Sequence, residues 1–266
     1  MKIKSIRQIG KSNADNTSYV LSNCQNQSNS SIERTKNHWI QLKKVFQNLE
    51  GKHIATILGV LENNQDVVVK IQSIEKARNE FMFERKLRSF RGFIEFGCMA
   101  TCGTQPSEII NYGRAETKPT KILCNKKGDN IGIIVMPYYK NGSFKEFLKN
   151  KATNKHIRHI TTLAILSYYI AYKKLGFAHG DFYTKNVVID ENYRPLIIDF
   201  EQSSFNSPRK LSLFWRDIEN FLNGVYPYVD KSLDDIIRKH VVMNNAHSIE
   251  PDDSIIKGLI DAISGV

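Results

Sequence analysis

Apolar residues recur at two different spacings in the C-terminal half of the chain, and each spacing predicts a different element. From residue 157 to 175 they repeat every three or four positions, which predicts a long, buried helix. Two short apolar runs, 187–190 and 196–198, flank the polar residues 191–195 and predict a β-hairpin. Residues 176–186 therefore lie between two well-defined elements.

The N-terminal half of the chain predicts strands and shorter helices. Residues 54–61 and 67–71 are rich in β-branched side chains and flank a polar turn, so they predict a second hairpin. Apolar anchors at helical spacing predict helices over residues 36–49 and 74–90. The apolar run 131–139 predicts a further strand.

The segment that follows the long predicted helix contains the candidate catalytic residues. It reads HGDFYTKN over residues 179–186, and the letters DFE follow the hairpin at 199–201. The spacing of Asp181, Asn186 and Asp199 resembles that of the protein-kinase-like superfamily. The catalytic loop of that superfamily reads H-R-D-x-x-x-x-N, and its metal-binding motif reads D-F-G.

The resemblance implies roles for four polar residues of the two motifs. Asp181 would accept or orient the proton of an acceptor hydroxyl, and Lys185 would bring positive charge to the γ-phosphate of ATP. Asn186 and Asp199 would hold Mg²⁺ on the phosphates, because an amide oxygen and a carboxylate are hard ligands of the kind this ion prefers. The implied cofactors are ATP and Mg²⁺.

A second set of residues is implied upstream, where the family holds the α- and β-phosphates with a strand lysine that a helix glutamate orients. Lys70 ends a Val-Val-Val-Lys run and matches that lysine. Glu80 is the favoured partner, because Phe83 and Leu87 repeat the apolar spacing that follows the family's glutamate, but Glu84 stays open. The glutamate that does not pair with Lys70 is expected to be a solvated helix charge.

The run at residues 131–139 resembles the strand and hinge that bind adenine through backbone groups. This resemblance assigns Met136 and Tyr138 to the nucleotide. Ser143 and Glu146 have the spacing of a capping box, which predicts the start of a helix. By resemblance, Asp217 is the aspartate at a helix start that braces the catalytic loop.

Several features depart from the family pattern. Gly180 stands where the family has arginine, and Glu201 stands where it has the glycine of D-F-G. The glycine-rich phosphate loop is missing, and residues 49–53 are the candidate replacement because their backbone N–H groups can form an anion-binding nest. The segment after Glu201 is short and lacks an A-P-E motif, which predicts a kinase without the usual phosphorylation switch.

The resemblance implies an α+β, two-lobed protein-kinase-like fold with ATP in the cleft. The predicted kinase-like domain spans residues 36–266, with a small β-rich N-lobe over about 36–136 and a shortened, mostly helical C-lobe over about 140–266. Residues 1–35 are rich in Asn, Ser and Gln, so they are predicted to be polar and partly disordered, with a short strand at 19–21.

Composition and charge bear on partners and location. The net charge is +11, but basic residues are dispersed and no basic run has interleaved aromatics, so nucleic acid is not an expected partner. No apolar stretch reaches transmembrane length, and residues 1–5 lack the apolar region of a signal peptide. These features predict a cytoplasmic protein and leave secretion without a signal peptide open. The four cysteines lack metal-site spacing and are expected to be free thiols.

The favoured acceptor is a hydroxyl of protein Ser, Thr or Tyr. Only 41 residues separate Pro137 from His179, which leaves no room for the substrate-binding helices of aminoglycoside and choline kinases. A saccharide, lipopolysaccharide or small-molecule kinase is one alternative. A pseudokinase that binds a partner without transferring phosphate is another, favoured by the missing glycine loop and Glu201 but opposed by the four matched residues. The oligomeric state is left open.

Overall fold

The structure is a computed structural model that describes residues 6–8, 18–22, 37–49, 54–61, 65–102, 131–150, 152–229 and 250–264. The chain divides into two compact units. The first comprises Met1–Arg85 and Glu95–Tyr138, and the second comprises Lys86–Ile94 and Tyr139–Val266. The fold is α+β and kinase-like, as predicted, with one large sheet in the first unit and most of the helices in the second.

The first unit is built on a seven-stranded antiparallel sheet of order β1-β2-β3-β4-β5-β7-β6. Its strands are β1 (Ile6–Gln8), β2 (Ser18–Ser22), β3 (Asn37–Leu49), β4 (Ile54–Leu61), β5 (Asp66–Ser73), β6 (Cys98–Cys102) and β7 (Ile131–Pro137). The predicted hairpin is β4–β5, in which Thr56 faces Lys70. Strand β2 contains the short strand predicted at 19–21, and β1 also lies within the N-terminal segment predicted to be polar.

The prediction of a helix over residues 36–49 is wrong, because these residues form strand β3. Two register shifts interrupt its pairing with β4, and the shift between Leu42 and Lys44 accounts for the apolar spacing of three from Leu42 to Val45. A bulge adds one residue to one strand, so an apolar spacing of two becomes a spacing of three, which resembles one face of a helix.

Helix α1 (Ile74–Leu87) follows β5 and ends three residues before the predicted end at residue 90. Its apolar anchors behave as the pattern indicated. Phe83 and Leu87 are buried, and the ring of Phe81 stacks on that of Phe96 with centroids 6.4 Å apart. This helix carries both candidate glutamates.

The second unit consists of four helices and two small two-stranded sheets among the described residues. Its helices are α2 (Phe144–Asn150), α3 (Asn154–Leu175), α4 (Lys210–Asn223) and α5 (Asp253–Ser264). Its strands are β8 (Phe177–Ala178), β9 (Val187–Ile189), β10 (Pro195–Ile197) and β11 (Ser204–Phe205). The predicted long helix is α3, the predicted hairpin is β9–β10, and Ser143 and Glu146 form the predicted capping box of α2.

Aromatic side chains form the core of the second unit. The ring of Phe182 lies 4.8 Å from that of Tyr168 and 4.5 Å from that of Phe221. Tyr168 also stacks on Phe214 at 5.2 Å, and all four side chains are fully buried. Since Phe182 directly follows Asp181, its packing in this core fixes the position of the candidate catalytic loop.

Helix α5 packs on α3 through a polar seam. The Tyr169 hydroxyl donates to Asp253 at 2.8 Å, and Lys173 donates to the same carboxylate at 2.6 Å. The hydrogen bond from Lys173 lowers the pKa of Asp253, and the Tyr169 hydrogen bond adds to that effect. Among the described helices, none has the combination of length and hydropathy that a bilayer span requires.

Candidate active site

The candidate catalytic loop begins where α3 ends. Gly176 closes the helix in a left-handed conformation with φ of 61°, and its N–H donates to the carbonyl of Tyr172. A Cβ at this position would lie 2.1 Å from Oδ1 of Asn206. Glycine suits both the left-handed backbone and the close approach. The chain can therefore turn directly into β8 and the loop.

Asp217 braces the loop from the middle of α4. Its carboxylate accepts from the N–H of Gly180 at 2.9 Å and from the N–H of Phe182 at 3.5 Å. It also accepts from the Tyr168 hydroxyl at 2.7 Å. The bracing contact agrees with the sequence resemblance, but the position at a helix start is wrong, since α4 begins at Lys210. The buried carboxylate is held by several donors, as a buried charge requires.

Gly180 has a structural reason to replace the arginine of the family motif. Its φ is 81°, a conformation that L side chains rarely adopt. A Cβ there would stand 2.5 Å from the carbonyl oxygen of Gln202. Any side chain at this position would therefore strain both the loop and the segment after Asp199.

His179 connects the loop to the residue before Asp199. Its Nε2 lies 2.9 Å from the carbonyl oxygen of Ile198, and its Nδ1 accepts from the N–H of Asp181 at 3.3 Å. These contacts place the proton on Nε2 of a neutral ring. Complete burial lowers the pKa of His179, although the nearby carboxylates of Asp217 and Asp199 oppose the shift.

This lowered pKa predicts a pH dependence of stability. Because the unfolded state binds the His179 proton more tightly, the contribution of this residue is complete above pH about 6.5 and is lost as the pH falls through the lowered pKa. We expect the free energy of unfolding, measured in urea, to fall with acidification less steeply in His179→Gln than in the parent. The matched control is His159→Gln, which replaces an exposed histidine of helix α3. Equal slopes in all three proteins would contradict the prediction.

Asn186 locks the carboxylate of Asp181. Its Nδ2 donates to the backbone oxygen and to Oδ2 of Asp181, both at 2.8 Å. Since both amide hydrogens are used, Oδ1 of Asn186 is the atom left to act as a ligand. Among the described residues, Oδ1 of Asp181 has no hydrogen-bond partner and is the oxygen that can receive an acceptor proton.

Asp199 is delivered to the same end of the β9–β10 hairpin as Asn186. The N–H of Ile198 donates to the carbonyl of Asn186 at 2.9 Å, and Ile197 pairs with Val187. Asp199 itself has φ of 67°, a left-handed conformation that aspartate tolerates better than most residues. Phe200 is fully buried beside His179, with ring centroids 5.9 Å apart. An unusual backbone held by a buried neighbour is common where function requires a fixed side chain.

Lys185 is an exposed residue of the loop. Its Nζ is 3.0 Å from Oδ2 of Asp181, and it lies 5.3 Å from the centroid of the Tyr183 ring. More than half of the lysine side chain is exposed, with a relative accessibility of 55%. This cation is thus placed beside the candidate base, and its predicted contact with a γ-phosphate stays a prediction.

Lys70 pairs with Glu80 in the first unit. Its Nζ donates to Oε1 of Glu80 at 2.5 Å, and the pair is shielded, with the lysine side chain 11% and the glutamate side chain 1% exposed. The prediction that the other glutamate is solvated is wrong, because Glu84 is also fully buried and has its own contacts. Two glutamates one turn apart on a helix share a face, so both point into the unit.

The predicted hinge residues lie at the end of β7. Met136 is buried and faces Val68 of β5, while the N–H of Tyr138 donates to the carbonyl of Asp66 at 3.3 Å. The predicted phosphate-covering loop lies largely outside the described residues, since only Leu49 of 49–53 is among them.

Two contributing residues were missed from sequence. Tyr168 lies inside the apolar pattern of α3, where nothing distinguishes a core tyrosine from one that binds Asp217 and His179. Gln72 had a readable signal, because it is a polar residue two positions after Lys70 in a strand of β-branched residues.

The fold and the loop geometry resemble those of the protein-kinase-like superfamily. Within it, residues 117–231 match the family model of the RIO domain. RIO kinases are atypical protein kinases of the protein-kinase-like superfamily, so the match implies a kinase-like, ATP-dependent domain. The matched range contains the catalytic loop, Asp199 and Asp217 but not Lys70. In sequence, the chain matches no curated protein.

Proposed function

We propose that this protein is an active atypical protein kinase, which transfers the γ-phosphoryl group of ATP to a hydroxyl of protein Ser, Thr or Tyr. The observation that carries the proposal is the clamp of Asn186 on Asp181. This contact occupies Oδ2 of Asp181 and leaves Oδ1 available for the acceptor proton.

In this proposal each residue has a separate role in phosphoryl transfer. The acceptor oxygen attacks the γ-phosphorus as its proton passes to Oδ1 of Asp181, a new O–P bond forms, and the bond to the β-phosphate oxygen breaks to release ADP. Lys185, beside Asp181, offers positive charge to the transferring group. Lys70, held by Glu80, neutralises the α- and β-phosphates.

The residues present fit a magnesium ion. Asn186 Oδ1 and the Asp199 carboxylate are hard oxygen donors at one end of the β9–β10 hairpin. Among the described residues, no three His, Cys, Asp or Glu side chains are placed to hold a metal together. The ion would therefore depend on these two ligands and on phosphate oxygens, and it would neutralise the charge that develops on them.

The choice of acceptor is testable with one labelling experiment. Purified protein, Mg²⁺ and γ-labelled ATP are incubated with a heat-treated cell extract, and protein, glycolipid and small-molecule fractions are then separated. We expect label in the protein fraction. The same incubation with Asp181→Asn serves as the control, because it removes only the candidate base. Label confined to glycolipid or to small molecules would show that the acceptor is not a protein. Label in no fraction would indicate a pseudokinase.

A further inference from the structure

Gln72 is a buried polar side chain that the proposed chemistry does not use. It lies two residues after Lys70 on β5, and successive side chains of a strand alternate between faces, so the two residues share one face of the sheet. Gln72 is completely buried in a strand whose other residues from 67 to 71 are three valines, the lysine and an isoleucine. A buried amide among apolar residues needs a specific hydrogen-bond partner.

The partner of Gln72 is the glutamate that holds Lys70. Gln72 Nε2 donates to Oε2 of Glu80 at 2.8 Å, while Lys70 Nζ donates to Oε1. Each oxygen of the buried carboxylate thus receives a donor from the same face of β5. The bond from Gln72 therefore adds to that from Lys70 in fixing the plane of the carboxylate.

The orientation of the Gln72 amide follows from chemistry. With the amide reversed, its oxygen would face the negative carboxylate of Glu80, so the nitrogen must point towards that side. The remaining oxygen, Oε1, has no hydrogen-bond partner among the described residues. A buried, unpaired acceptor is destabilising, and an apolar side chain of the same size would avoid that cost. Packing alone does not account for glutamine at this position.

Strand β7 holds helix α1 at the distance that this bond requires. Gly132 is paired with Gln72, and a Cβ on Gly132 would lie only 2.1 Å from Cβ of Ala77. The helix therefore rests directly on the glycine, at a residue one turn before Glu80. Ala77 is completely buried by this contact.

We propose that Gln72 is a positioning residue for Lys70, acting through Glu80. It holds the second carboxylate oxygen, so that Oε1 stays directed at the lysine and the ammonium group stays in one place. The proposal rests on the proposed function only in assigning a purpose to Lys70, namely contact with ATP phosphates.

The test measures the environment of Lys70 and the catalytic rate separately. The first variant, Gln72→Met, keeps the length of the side chain but has no donor. The second, Gln72→Asn, has a donor on a side chain that is too short to reach Glu80. Met82→Ala, which changes an exposed side chain of the same helix α1, is the matched control. The first readout is the acylation rate of the Lys70 amine by acetic anhydride, relative to that of the exposed Lys145, measured by peptide mass spectrometry without nucleotide. The second is kcat and KM for ATP.

We expect both Gln72 variants to raise the relative acylation rate of Lys70 about tenfold and to lower kcat/KM by a similar factor, as loss of one hydrogen bond to a charged group predicts. In a Glu80→Ala background, Gln72→Met should change neither quantity further, because the residue acts through Glu80. Thermal unfolding identifies variants that do not fold, and Gln72→Asn then replaces Gln72→Met in the cycle.

Two results would overturn the positioning role. One is a parental Lys70 acylation rate in both Gln72 variants while Glu80→Ala raises it. The other is an effect of Gln72→Met that simply adds to that of Glu80→Ala. If the parent protein transfers no phosphate but acylation responds as expected, the positioning role stands and the proposed function has failed.

Discussion

Asp199→Ala is expected to abolish metal-dependent ATP turnover, with a fall in kcat of about a thousandfold or more, because it removes the only proposed carboxylate ligand of the metal. Adding excess Mg²⁺ should not restore the rate, since the missing ligand is part of the protein. The measurement is ADP release at saturating ATP over a range of Mg²⁺ concentrations.

The backbone at Asp199 calls for a second variant. Alanine in a left-handed conformation costs about 1 kcal/mol, so part of any loss in Asp199→Ala has a structural origin. Asp199→Asn tolerates that conformation and keeps the shape of the side chain, yet it loses the charge. Glu191→Ala, in the exposed turn of the same hairpin, should keep parental activity. Turnover by Asp199→Ala at the parental rate would refute the assignment of this site.

Asp181→Asn should separate binding from transfer. The amide keeps the shape of the side chain but cannot take a proton, so we expect kcat to fall by about a hundredfold to ten-thousandfold. The affinity for an ATP analogue should stay at the parental value, because the proposed phosphate and metal contacts come from Lys70, Asn186 and Asp199. Equilibrium binding and single-turnover transfer measure the two quantities.

The clamp of Asn186 gives this prediction a structural check. Its Nδ2 also bonds the backbone oxygen of Asp181, and that bond survives the substitution. The loop should therefore keep its conformation, and the thermal unfolding midpoint should change little. A variant that transferred phosphate as fast as the parent would show that Asp181 is not the base.

The loop is held without the arginine of the family motif. Asp217 and Tyr168 bind its backbone on one side, and Ser203 donates to the carbonyl of His179 at 3.1 Å on the other. Gly180 leaves no space for a side chain beside Gln202. These contacts support the loop backbone at Gly180, the position where the family motif has its arginine.

Local elements were predictable because their signals are local. The long helix, both hairpins and the capping box of Ser143 follow from spacing within a few residues, and the structure has each of them. Strand β3 was predicted as a helix for the same reason, since apolar residues three apart are typical of a helix and its register shifts against β4 cannot be seen in the sequence.

Contacts between distant positions were only partly predictable. Resemblance identified Asp217 as a brace, but its place within α4 and its bond to Tyr168 depend on how two helices meet. The burial of Glu84 could not be read from a helix whose two glutamates share one face.

The sequence by itself supplied the proposed chemistry, because the identities and spacing of Asp181, Asn186 and Asp199 lie in one short stretch of chain. The tertiary structure alone decided which glutamate holds Lys70 and that Gln72 shares it. The physical reason is that a turn or a hairpin follows from neighbouring residues, whereas a hydrogen-bond partner depends on which side chains packing brings together across a helix and a sheet.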